Sequence, residues 1–332
     1  MLQPPDIDRP RAVIRRPTAI GGAVALGAAG VALAATPAGA VVLHAVSGVS
    51  QRAAANQLTP AKAVVLGIVE GITEWLPISS TGHLHVAERI LNVGTTKATK
   101  DAADNYAITI QAGAILAVLF LYTHRVRTMI DGLRGRDPAG RRLLIAVAIA
   151  FVPSALVGVV FEKPIKDKLF GAWPIVVAWI VGGIFLLVLA PRLRELGRRG
   201  AALETITPRQ AIIVGLAQVL ALWPGTSRSL VTIVAALFLG LGIAASVEFS
   251  FLLGLVTLSA ATAYTALKHG KEMIDTYGLA NPLIGLVVAF VFAAVAIKWM
   301  VTYLQRHDLS IFGWYRLAIA AVTIVLLATN AI

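Results

Sequence analysis

The chain has no cysteine, which excludes disulfides, thiolate zinc sites, iron–sulfur clusters and a cysteine nucleophile. Charge is also scarce. Only 14% of the 332 residues are Asp, Glu, Lys or Arg, against about 25% in soluble domains. Acid is the scarcer sign, with 17 Asp and Glu facing 29 Lys and Arg. No GxxxxGK[ST] loop, kinase motif set or HExxH helix is present, which argues against nucleotide hydrolysis and zincin chemistry.

Apolar residues make up 58% of the chain, and the mean hydropathy is +0.80. A crossing helix needs about 20 apolar residues, so a chain of this length holds roughly six to nine of them. The composition therefore specifies a polytopic helical membrane protein. The net charge of +12 fits cytoplasmic loops rich in Lys and Arg beside anionic lipid. No nucleic-acid motif accompanies it, so no nucleic-acid partner is expected.

Residues 1–55 form a separate N-terminal extension. Arg9, Arg11, Arg15 and Arg16 precede an Ala/Gly-rich apolar stretch and the small-residue pattern Ala38-Gly39-Ala40. This reads as a secretory signal peptide or as an uncleaved anchor helix. Six apolar spans follow, at about 105–122, 143–161, 173–190, 244–266, 282–303 and 314–331. Two further segments, Ala61–Leu91 and Gln210–Leu241, are apolar but broken by Leu76-Pro77-Ile78-Ser79-Ser80-Thr81-Gly82-His83 and Trp223-Pro224-Gly225-Thr226-Ser227-Arg228-Ser229. Non-helical backbone at membrane depth persists only inside protein or beside a wet cavity, so each segment is expected to be a re-entrant hairpin of two half-helices.

Gly67-Ile68-Val69-Glu70 aligns with Gly215-Leu216-Ala217-Gln218 at a separation of 148 residues, and Trp75 with Trp223. Each half, 60–190 and 209–332, is thus one broken hairpin followed by three spans. Because three is odd, the second half is expected to lie inverted relative to the first, with a functional site where the hairpins meet. The expected fold is an all-α polytopic membrane protein with six transmembrane helices and two re-entrant hairpins in an inverted-topology repeat. Arg-rich loops at 123–142 and 191–209 predict a cytoplasmic face there. Both termini of the 60–332 region then lie outside.

Glu70 and Glu74 stand four residues apart, on one helix face about 6 Å from each other. Carboxylates at membrane depth are costly and mark function. Paired oxygens of this kind suit a divalent cation, Mg²⁺ or Ca²⁺. Ser79, Ser80, Thr81 and His83 at the first break supply hydroxyls and an imidazole for nucleophile, base or acid, or cap the following half-helix. Gly225, Thr226, Ser227, Arg228, Ser229 and Thr232 have the makings of a phosphate cradle: a glycine for close backbone approach, a half-helix N-terminus and a guanidinium fork.

The motifs Glu70-x-x-x-Glu74, Pro77-Ile78-Ser79-Ser80-Thr81-Gly82-His83 and Pro224-Gly225-Thr226-Ser227-Arg228-Ser229-Leu230-Val231-Thr232 together resemble the undecaprenyl-diphosphatase, or bacitracin-resistance, family. Ile110–Val118 and Phe249–Leu253 resemble it as well. The resemblance implies a bacterial plasma-membrane enzyme that removes one phosphate from undecaprenyl diphosphate, recycling the lipid carrier of cell-wall synthesis and conferring bacitracin resistance. It implies six spans and two hairpins, an external pocket, a divalent cation, and lipid substrate as partner; a homodimer is compatible with it. It implies catalytic roles for Glu70, Glu74, Ser80, His83 and Arg228, phosphate contact for Ser227, and leaves open whether Ser80 or a His83-activated water attacks. The extension before about residue 55, Leu230, and Val256-Thr257 depart from the family pattern. The rival is a flippase of the same architecture that moves an isoprenyl phosphate without cleaving it.

Overall fold

The computed structural model describes residues 58–94 and 97–332; the signal-like or anchor segment expected within 1–55 lies outside them. Among the described residues twelve α-helices follow one another, with two short 3₁₀ turns and no strand.

Each broken segment yields a pair of short helices. In the first, α1 (Pro60–Thr73) starts at Thr59, whose hydroxyl accepts from the Lys62 amide at 3.3 Å, with proline in the first turn. A proline there forfeits only an N–H that has no helical partner anyway. The chain breaks and resumes as α2 (Ser80–Ile90). The second pair repeats this start. Thr207 caps α8 (Pro208–Gln218), with Gln210 reaching back to the Thr207 amide in a capping box. A 3₁₀ turn at Val219–Leu222 leads to the break, and α9 (Arg228–Phe238) follows.

Between and beyond the pairs run the other helices: α3 (Lys97–Leu121), α4 (Thr123–Leu133), α5 (Pro138–Val160), α6 (Glu162–Leu169), α7 (Ala172–Arg199), α10 (Ile243–Tyr277), α11 (Ala280–Leu304) and α12 (Ser310–Ala328). Six of them, α3, α5, α7, α10, α11 and α12, are long and apolar enough to cross a membrane, matching the count of apolar runs. Their boundaries differ from those runs. The loop expected from residue 191 starts as helix, because α7 passes through Pro191 to Arg199. Ala190, Leu193 and Gly197 stay buried while Arg192, Arg194, Arg198 and Arg199 point outward, so the helical stripe outlasts the hydrophobicity that marked the span. The other Arg-rich loop contains α4 for the same reason.

The packing crosses the two halves. Helix α1 lies on α11, and α8 lies on α5; α3 packs against α10 and α11, and α7 against α12. Glycines let α1 and α8 come close to these partners. A Cβ on Gly67 would strike the Gly285 carbonyl, and one on Gly215 the Ala150 carbonyl. The ends of each short pair return to one place. Leu58, before α1, and Val93, after α2, share a core cluster with Ala102, Ala103 and Tyr277. The Gln210 amide nitrogen at the start of α8 donates to the Leu239 carbonyl after α9, 2.8 Å away.

Candidate active site

The two breaks meet. The Gly225 amide donates to the Ser79 hydroxyl at 3.2 Å, and the Ser229 hydroxyl to the Leu76 carbonyl at 2.9 Å. Ser79 and Ser227, 148 residues apart, carry the same unusual backbone, with φ of 72° and 77°, immediately before α2 and α9. Non-glycine residues with φ in this range are uncommon and cost of order 1–3 kcal/mol each. Two at equivalent points, side by side, mark the place where packing over-determines the backbone. Gly225, with φ 93°, lies so close to α7 that a Cβ would press on the Ile175 carbonyl.

The acidic and basic residues expected to carry chemistry come together here. Glu74 and Arg228 form a buried ion pair, Nη2 to Oε1 3.1 Å, with side chains 6% and 10% exposed. The guanidinium also donates through Nη1 to the Ser250 carbonyl at 3.0 Å and lies 4.6 Å over the Trp75 ring. Trp75 is itself fixed by its indole N–H to the Ala114 carbonyl, 2.9 Å, and by edge packing on Phe251. Glu74 spends its other oxygen on the Ser80 hydroxyl, which donates to Oε2. A hydroxyl, a carboxylate and a guanidinium therefore stand in one connected row.

Two buried groups in the row's surroundings have no partner. Both carboxylate oxygens of Glu70 are unbonded, as is the Arg228 Nε–H. A buried carboxylate left without a donor is costly unless a cation or proton completes it. Anionic oxygens of this kind fit Mg²⁺ or Ca²⁺. Among the described residues no group of three or more His, Asp or Glu is placed to hold a metal ion; of the two acids, Glu70 has both oxygens free and Glu74 has both engaged.

His83 is held by the Ser79 carbonyl and the Tyr315 hydroxyl rather than by Ser80. It sits on the first turn of α2, where Nδ1 donates to the Ser79 carbonyl at 2.6 Å. A carbonyl only accepts, so Nδ1 carries the proton. Nε2 lies 2.8 Å from the Tyr315 hydroxyl, and the ring stacks on Tyr315 and packs edge-on against Trp179. Neutral His83 then accepts from Tyr315. The carboxylate that accepts from Ser80 is Glu74, six residues earlier in the chain, because the break folds the chain back on itself.

The hydroxyls divide by position. Ser227 caps α9 through the Leu230 amide at 3.3 Å and meets the Ser229 hydroxyl at 3.0 Å. Ser79 makes no cap of its own, since its oxygen faces Gly225. Thr232 bonds the Ser250 hydroxyl at 2.7 Å. Thr226 is half-buried, and Thr81 is exposed and stands apart from the row. Sequence reasoning missed Trp75 as a cation platform, Ser250, Tyr315 and Arg316. The last two are on α12, far from either motif, and only Arg316, a charge inside an apolar run, gave a sequence signal.

A family profile described as bacitracin resistance protein BacA matches residues 63–322. An undecaprenyl-diphosphatase of Sorangium cellulosum is 42% identical over 255 residues, covering 76% of this chain and 81% of that protein. Undecaprenyl-diphosphatase 2 of Rhodospirillum rubrum is 41% identical over 253 residues, covering 76% and 89%. An undecaprenyl-diphosphatase of Nitrosomonas europaea is 41% identical over 254 residues, again covering 76% and 89%.

Proposed function

The chain belongs to the BacA family of bacitracin resistance proteins, and from that premise we propose that it hydrolyses undecaprenyl diphosphate to undecaprenyl phosphate and inorganic phosphate. The observation that carries the reading is the Ser80–Glu74–Arg228 row: a hydroxyl on a carboxylate, and that carboxylate on a guanidinium whose Nε–H has no partner. A flippase needs anion contacts but no hydroxyl held against a base.

In the proposed reaction, Arg228 and the first-turn amides of α9 hold the terminal phosphate. Glu74 takes the Ser80 proton as Oγ bonds to the terminal phosphorus. The bond from that phosphorus to the bridging oxygen breaks, and undecaprenyl phosphate leaves with the electron pair. Water then cleaves the phosphoserine, releasing phosphate and restoring the Ser80 hydroxyl. Tyr315 and the Ser79 carbonyl fix His83 in one tautomer beside the break. Glu70 with Glu74 would hold a divalent cation, which supplies charge neutralisation at the phosphoryl oxygens.

The short pairs α1–α2 and α8–α9 act as re-entrant hairpins of an inverted repeat. The support is the shared Thr–Pro start, the matched Ser79 and Ser227 backbones, the return of each pair's ends to one place, and the cross-half packing. Arg-rich ends at α4, α5 and α7 face the cytoplasm by the positive-inside rule, which puts the mouth of the α1–α2 pair outside. A homodimer is compatible with this arrangement. The physiological setting is a bacterial plasma membrane, where the reaction recycles the carrier lipid and opposes bacitracin.

Purified protein with a long-chain isoprenyl diphosphate and Mg²⁺ is expected to release phosphate. Ser80→Ala should lower that rate at least about 100-fold, the scale of losing a nucleophile. Absence of release by the intact chain, with lipid flipping in liposomes, would sink the enzyme reading in favour of the flippase. Glu70→Gln should raise the Mg²⁺ concentration for half-maximal rate by about tenfold or more, one charge fewer at a hard-cation site; an unchanged metal titration would remove Glu70 from that role.

A further inference from the structure

Among the described residues, Arg316 is a fully buried charged group that the proposed reaction leaves unused. It lies in the second turn of the last apolar helix, wholly buried, with no carboxylate among the described residues paired to it. Its guanidinium spends itself on carbonyls. Nη1 donates to Pro77 at 3.3 Å and Thr226 at 3.2 Å; Nη2 donates to Ala178 and Gly225, both at 2.8 Å. One of these carbonyls belongs to the first break, two to the second, and one to α7.

The arrangement has a physical cause. At a break the backbone carbonyls lose their helical donors, and at membrane depth no water replaces them. A planar fork with five N–H groups can serve four carbonyls at once, where a lysine offers three donors from a single point. Helix α7 makes room for it with Gly182, where a Cβ would collide with the guanidinium. The charge is also unbalanced. Arg228 is matched by Glu74, whereas Arg316 stands behind the Gly225–Ser227 turn with only dipoles around it.

We propose that Arg316 is a positioning residue of the site, joining the two breaks through their carbonyls. It thereby orients the backbone amides of the second break toward the phosphate and adds positive potential behind them. The proposal rests on the phosphatase reading for its kinetic consequence. Its structural consequence is independent of activity: without the fork, both breaks loosen together.

The test uses the full chain in detergent or nanodiscs with Arg316→Lys and Gly182→Ala. The lysine keeps a charge and loses the fork; the alanine keeps the arginine and displaces it. In both variants amide hydrogen exchange should rise by tenfold or more in peptides covering 76–80 and 224–228, with α5 and α11 unchanged. At matched folded protein, kcat should fall at least tenfold in Arg316→Lys, and the double variant should be no worse than Arg316→Lys alone. Unchanged exchange at either break, or kcat within twofold of the parent chain, overturns the proposal. If Arg316→Lys fails to fold, Gly182→Ala decides by the same two readings. If the parent chain releases no phosphate, the phosphatase reading falls while the exchange result still judges the link between the breaks.

Discussion

Single residues define the site by what they hold each other to. Glu74 is the hub, with one oxygen for Ser80 and the other for Arg228. Removing one partner of a buried pair leaves an uncompensated charge, so truncation here costs more than the pair's net worth. His83 shows how neighbours in sequence differ from neighbours in space. Its place beside the Ser-Ser-Thr run suggests a base for Ser80, but one turn of α2 carries the ring to Tyr315 instead. Tyr315→Phe removes the hydroxyl while keeping the stacked ring. If His83 exchanges a proton during turnover, this change shifts the pH–rate profile and lowers kcat by about tenfold, within the usual span of acid–base contributions. An unmoved profile would leave His83 a structural residue. The acids and Arg228 were legible because charge in an apolar run is rare. Trp75 and Tyr315 were not, since an aromatic in such a run is ordinary lipid-facing or core material.

At the scale of elements, the two short helix pairs matter most. Proline and glycine in the sequence forecast that each segment breaks; the shared Thr–Pro starts emerge only in the structure. The sequence did not forecast that the two serines would adopt the same left-handed backbone, a conformation imposed by contact between the breaks rather than by residue preference. Nor did it forecast how closely α8 crosses α5. Gly215 is one residue among several small ones in its helix, and only the Ala150 carbonyl opposite it gives the glycine a reason. Gly215→Val should therefore destabilise the fold by about 1–3 kcal/mol, the scale of overpacking a tight core, read as a lower melting temperature in detergent. The equivalent change at exposed Gly135, where a Cβ meets nothing within 4 Å, tests backbone strain alone because φ there is 77°.

Across the whole molecule, charge sorts into two populations. Near the ends of the long helices, Arg125 on α4 reaches both Glu204 at 2.7 Å and Glu248 on α10 at 2.7 Å. Glu204's own backbone amide, and then Arg125, hold that carboxyl below the ordinary range. A lowered folded value means that the pair stabilises above the unfolded carboxylate range and loses its effect as pH falls through the folded value. Glu204→Gln should then lower the melting temperature slightly at pH 7 and not at all at about pH 3. At 45% exposure for the Glu204 side chain the effect stays under about 1 kcal/mol after solvent screening. A difference that persisted at low pH would deny the ion pair its role. The second population, Glu70, Glu74, Arg228 and Arg316, lies among apolar helices, where the fold rather than water surrounds each charge.

The sequence by itself determined the solvent, the number of spans, the two breaks and which charges lie inside apolar segments. Hydrophobic length and the expense of buried charge are local properties that a linear chain displays. Tertiary structure alone decided which hydroxyl meets which carboxylate, that the breaks share hydrogen bonds, and that the final helix supplies Tyr315 and Arg316. Those pairings join residues up to 239 positions apart. They follow from close packing of helices whose apolar surfaces are interchangeable in sequence but not in shape.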